Sequence, residues 1–113
     1  MVDLKQKRLK KIGSHPFEVT ITDLAANANK VYGFESDTDI QKFLPLNFCR
    51  IINKSGQDLK IYIGQKTDGE VILDDTIFNH YGDFFSFKLE NLSATTTATG
   101  ATTYTTVQRK IGG

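Results

Sequence analysis

Two histidines, His15 and His80, and a single cysteine, Cys49, are the residues of this chain best suited to proton transfer or nucleophilic attack. Such chemistry needs a base and a nucleophile within hydrogen-bond reach, in surroundings that favour a thiolate or a poised imidazole. Neither setting is visible in the sequence. His15 precedes Pro16 in "GSHP", and His80 falls in "FNHYGD", which reads as a turn. Cys49 has apolar neighbours in "LNFCRIIN", so the expectation is a buried, inert thiol that forms no internal disulfide. No Gly-rich phosphate loop, nucleophile elbow or HExxH pair occurs. The chain reads as a non-enzyme with no cofactor.

Carboxylates come in two groups. Glu35, Asp37 and Asp39 in "ESDTD" have the spacing that starts a calcium loop, but the loop's glycine and closing glutamate are missing. They read as solvated charges, with Ser36 or Asp37 capping a short helix. Asp74-Asp75, after "VIL", offers carboxylates to calcium at a strand end, but reads first as the end of a strand in water. No metal site is expected.

Charge is divided unevenly along the chain. Lys5, Lys7, Arg8, Lys10 and Lys11 outweigh Asp3 in the first eleven residues, a net of +4, whereas the nine basic and twelve acidic residues beyond them give −3. A basic arm on a mildly acidic body suits assembly contacts or non-specific contact with nucleic acid. It does not suit sequence-specific recognition, because the body shows no basic and aromatic face. No apolar run approaches the ~20 residues of a membrane helix, and no signal-type apolar core follows the charged start. A soluble protein, without a membrane span or cleaved leader, is therefore expected.

These side chains must be positioned by β structure. In "FEVTITD", Phe17, Val19 and Ile21 alternate with Glu18, Thr20 and Thr22, a half-buried strand. A short strand over Lys30 to Phe34 and a turn or two of helix in "SDTDIQKFL", stopped by Pro45, come next. "LNFCRIIN" is apolar on both faces, as in a central strand, and "KSGQ" joins it to "DLKIYIGQ" as a hairpin. Asp68-Gly69 turns the chain into "VILDD", "NHYGD" turns it again, and "FFSFKLENL" sets Phe85, Phe87 and Leu89 on one face.

The stretch "NLSATTTATGATTYTTVQRK" holds eight threonines in twenty residues and no proline. Threonine is β-branched and favours extended backbone, and a mucin-like stalk would interleave proline. A loop over Ala94 to Gly100 and a last strand from about Thr102 to Arg109 follow, with the threonines on a solvated face. The sum is an all-β domain: residues 1–15 form an extended basic arm, and residues 16–113 one small β-sandwich or jelly-roll-like barrel of about seven short strands. Its core should contain Val19, Ile21, Ile61, Ile63, Phe85, Phe87 and Leu89.

From "CRIINKSGQDLKIYIG" through "DGEVILDDTIF" to "FFSFKLENLSATTT" and "TTVQRK", residues 47–110 resemble small β-sandwich structural proteins of bacteriophage particles. The shared style is an Asn-x-Ser-Gly-type turn, a short apolar strand, a "DGE" turn, then an aromatic strand before a Thr/Ala-rich loop and a last strand. The resemblance implies a virion component made in the host cytoplasm: a capsid-associated, vertex, spike-base or tail-related subunit. It would act by symmetric self-assembly, as a trimer or pentamer, and by docking on other virion proteins. The alternative is a carbohydrate-binding or adhesin-like module, with Tyr32, Tyr62, Tyr81 and Tyr104 as candidate stacking platforms.

Overall fold

The structure, a computed structural model, describes residues 13–64 and 66–111. The basic arm residues Lys5, Lys7, Arg8, Lys10 and Lys11 lie outside the described residues. Eight strands follow in order: β1 (Phe17–Val19), β2 (Asn29–Gly33), β3 (Leu46–Asn53), β4 (Leu59–Ile63), β5 (Glu70–Ile72), β6 (Thr76–Phe84), β7 (Ser86–Asn91) and β8 (Thr103–Gln108). They form two four-stranded antiparallel sheets, ordered β1-β8-β3-β6 and β2-β7-β4-β5.

That order has a simple logic. β4 pairs with β5, β3 with β6, β2 with β7 and β1 with β8, like the rungs of one long hairpin. The β4–β7 and β3–β8 pairings then knit the wound-up hairpin into two sheets. This is the jelly roll, the double-sheet way of arranging eight antiparallel strands.

Alternation places the core between the sheets. Cys49, Ile51 and Val107 face inward from one sheet, and Leu59, Ile61, Phe87 and Leu89 from the other, all essentially without solvent exposure. Phe87 lies at its aromatic centre, 5.3 Å from the Tyr32 ring and 5.9 Å from that of Phe34. Ile21 is buried as expected, while Val19 and Ile63 are half-buried at the margin.

The structure corrects several details of the sequence reading. β3 and β4 are not a hairpin: the "KSGQ" turn carries the chain from one sheet to the other. The cause is Asn53, whose buried amide folds the turn over the core instead of along a sheet. "NHYGD" is not a turn but the middle and end of β6, the longest strand. Its glycine serves a bulge, with Gly82 at φ +136 where the β3–β6 register shifts opposite Asn47. Phe85 is 48% exposed because it is the single residue between β6 and β7, where the chain changes sheet and the alternation resets. Phe84 and Phe87 take the inward positions on either side of it.

Two threonines of the last strand depart from the solvated face expected for them. Thr103 and Thr105 face the core with Val107, whereas Tyr104 is 57% exposed. Thr103 keeps its hydroxyl satisfied by donating to the Thr99 carbonyl at 2.9 Å. The Thr105 hydroxyl has no partner among the described residues. The expected helix reduces to one 3₁₀ turn, Gln41–Phe43, and Asp37 caps the turn before it by accepting from the Asp39 and Ile40 amides. The body's hydrogen bonding already includes Ser14, whose amide donates to the Arg109 carbonyl at 2.8 Å.

Two substitutions check this packing in urea unfolding. Phe87→Ala should lose about 3–5 kcal/mol, the usual cost of a deleted core aromatic. Thr105→Val, which replaces an unpartnered buried hydroxyl with a methyl group of similar shape, should gain about 1 kcal/mol. A loss on Thr105→Val would mean that the hydroxyl has a partner.

Candidate functional site

The three residues with potential for catalysis are dispersed or disarmed. His15 is exposed and leans on Phe17, 4.3 Å between ring centroids. Cys49 and His80 are neighbours in the β3–β6 register. Cys49 is fully buried, and burial pushes its thiol up to about 12, so the reactive thiolate does not form near neutrality. His80 is held below the ordinary histidine value, first by burial and then by the nearby Lys66 cation. Two effects oppose this more weakly: a backbone hydrogen bond with Gly82 and the Glu70 carboxylate.

Several carboxylates accept from backbone amides. Asp74 accepts from the Gly56 amide at 2.9 Å, and Asp58 accepts from the Asp74 amide at 2.8 Å. Asp23 accepts from the Gly100 amide at 2.7 Å. Gly100 lies so close to the backbone of Ile21 and Thr22 that a Cβ would collide with both. Among the described residues, no group of three or more His, Cys, Asp or Glu could hold a metal ion.

What the fold does display is two outer sheet faces of different character. On the face of β1-β8-β3-β6 the register lines side chains up in cross-strand rows. One row runs Tyr104–Ile52–Ile77, with Tyr104 and Ile77 each 57% exposed. A polar row, Glu18–Thr106–Arg50–Asn79, follows, in which the Arg50 guanidinium donates to the Asn79 side-chain oxygen at 3.2 Å. The third row is Gln108–Phe48–Tyr81. Lys110 covers Phe48 with its ammonium 4.0 Å from the ring, while Tyr81 stays 70% exposed. The face therefore has apolar ends and a polar waist, a mixture found at protein–protein contacts.

The face of β2-β7-β4-β5 is charged at its centre, with Val31 and Val71 exposed on its edge strands. Tyr62 is its centre: the phenol donates to Glu90 at 3.0 Å, and Lys88 and Lys60 lie 4.4 and 5.5 Å from the ring centroid. Beside it, Val31, Tyr62, Lys66, Ser86 and Lys88 line an open concavity of about 580 Å³. Of the four tyrosines considered as platforms, Tyr32 is buried, Tyr62 has its ring attended by lysines, and Tyr81 and Tyr104 stand at opposite ends of the other face.

Sequence reasoning passed over Ile52, Ile77 and Tyr81 as a surface. The signal was present in the alternation of Ile77, Asn79 and Tyr81 along one face of "TIFNHYGDF". Asn, His, Gly and Asp in the same stretch outweighed it as turn residues. In comparisons with known proteins, the chain matches no protein family and no curated protein.

The His80 environment yields a pH prediction. A histidine held below its unfolded value stabilises the fold fully above about pH 6.5, and that contribution is lost as pH falls through the folded value. The difference in unfolding free energy between wild type and His80→Gln should therefore be constant above pH 7 and move against the wild type as pH drops towards 5. A pH-independent difference would contradict the assigned environment.

Proposed function

We propose that this protein is a non-enzymatic structural subunit of a virus particle, made in the host cytoplasm, that acts by associating with copies of itself and docking on other virion proteins. The observation that carries this reading is the outer face of β1-β8-β3-β6, where Ile77, Tyr81 and Tyr104 are exposed to water in its end rows. Leaving large apolar groups exposed on the end rows of one flat face is costly for a solitary domain and useful for one that is covered by a partner. The strand order is compatible with this reading, since jelly rolls are the common architecture of viral capsid subunits. That architecture also serves lectin domains and cupins, so the fold alone does not select a function. Among the described residues, no helix is long and apolar enough to cross a membrane.

Particle symmetry makes a ring of three or five the expected soluble form. The position of the subunit, whether capsid, vertex, spike base or tail, follows from which partner receives it. A carbohydrate-binding or adhesin-like module is the second reading, and the concavity beside Tyr62 favours it, with two lysines and a serine hydroxyl around an aromatic ring. Glycan-array binding by the isolated protein, abolished by Tyr62→Ala, would favour that reading over assembly.

The basic segment provides the test of assembly. The described strands all begin at or after Phe17, and the first eleven residues carry a net +4 where the rest of the chain carries −3. Deleting residues 2–12 should leave the melting temperature of the body nearly unchanged while weakening incorporation into the particle. Raised salt should mimic the deletion, because exposed charge pairs are screened beyond about 10 Å at 0.1 M. A large fall in melting temperature with normal incorporation would contradict the proposal.

A further inference from the structure

Among the described residues four strands form sheet edges, and three of them are protected against pairing. β1 and β5 have three residues each, with Pro16 just before β1, and the five-residue β2 carries Lys30. Short length, proline and lysine are the devices by which natural sheets discourage edge-to-edge contact. β6 has none of them. It runs for nine residues, contains neither Lys nor Pro, pairs only with β3 among the described residues, and buries only Phe84. The bulge at Gly82 blunts its far end, leaving Thr76 to Tyr81 as an open antiparallel template.

We infer that β6 is the contact by which two copies of this chain join, edge to edge and antiparallel, about a twofold axis at Asn79. The register follows from the strand itself. With Asn79 opposite its own copy, Ile77 of one chain lies directly opposite Tyr81 of the other, and the reverse pair forms as well. The two most exposed apolar side chains of the strand, at 57% and 70%, thus become cross-strand neighbours twice over. Sliding by two residues either way sets Ile77 against Asn79 or Asp83, and sliding by one puts outward residues against inward ones.

The axis also explains why the apolar rows sit at opposite ends of the face. Tyr104–Ile52–Ile77 of one copy runs on into Tyr81–Phe48 of the other, giving two continuous apolar rows across an eight-stranded sheet. The polar waist meets itself at the axis, where each Asn79 is already held by its own Arg50. Such a contact is isologous, with the same surface used on both sides. It rests on the self-association proposed above, and a subunit of a ring can use it towards a neighbouring ring. Pairing over the five residues from Ile77 to Tyr81 spans only roughly 17 Å, so the isolated contact is weak and is seen at high concentration.

Oxidative cross-linking of full-length Asn79→Cys tests the register. Residues directly opposite in an antiparallel pair have Cα atoms about 4.5–5.5 Å apart, within the range that a disulfide spans. At several hundred micromolar, with diamide as oxidant, Asn79→Cys should give a covalent dimer, whereas Glu18→Cys on the β1 edge and the wild type with its buried Cys49 should not. Ile77→Lys, an exposed substitution, should weaken association in sedimentation by about tenfold. A chain that associates yet forms no Asn79→Cys dimer, or that is indifferent to Ile77→Lys, would place the contact elsewhere and leave self-association standing. A monomer at these concentrations would overturn both.

Discussion

An asparagine shut away from water must satisfy its amide inside the protein, and Asn53 and Asn91, both fully buried, do so at the same end of the sandwich. Asn53 donates to the Gln57 and Ile72 carbonyls, each at 2.9 Å, and accepts from the Ser55 amide and hydroxyl. Asn91 donates to the carbonyls of Leu24, Ala25 and Thr96 and accepts from the Ser93 amide. Each stands last in its strand and first in an Asn-x-Ser triplet, and each turns the chain out of one sheet towards the other. Through these bonds the loop before β4 is tied to the end of β5, where the chain leaves for β6, and the loop before β2 is tied to the loop before β8. Those are the crossovers that make a jelly roll out of what would otherwise be a flat hairpin.

The consequences run outward from that end. With the crossovers fixed, β3 and β8 become central strands and can face a core on one side, while β6 is left at an edge. The interior is then closed by Phe84, Phe87 and Leu46, all nearly without exposure. What remains for interaction among the described residues is what the crossovers leave outside: one face with apolar end rows, one face charged around Tyr62, and the long edge of β6. On this account function belongs to surfaces and edges, and the buried amides matter to it by deciding which strands have them.

Much of this was legible in the chain. Alternation located β1, β4, β7 and the β4–β5 turn at Asp68-Gly69, and the β-branched character of the threonine-rich end marked β8 as a strand. The level at which reading failed was the partner of each strand. A tight turn such as "KSGQ" looks the same whether it closes a hairpin or crosses between sheets, and only the burial of Asn53 separates the two cases. Phe85, Thr103 and Thr105 failed for a related reason, since the face that a residue takes is set by the sheet its strand joins. Threonine hid the last strand's polarity, because its methyl group suits a core as well as its hydroxyl suits water. The apolar surface was missed along with β6, where turn-forming residues occupy an extended edge.

The fastening role of the buried asparagines can be measured directly by urea unfolding of Asn53→Ala and Asn91→Ala beside the exposed Asn29→Ala. Each buried variant leaves several backbone groups without partners, at a typical cost of about 1–3 kcal/mol for each one that water cannot reach. The account predicts a loss of at least about 2 kcal/mol for Asn53→Ala and for Asn91→Ala, and little change for Asn29→Ala. Losses below about 0.5 kcal/mol at both buried sites, with near-UV circular dichroism unchanged, would show that the crossovers hold without them and would contradict the account.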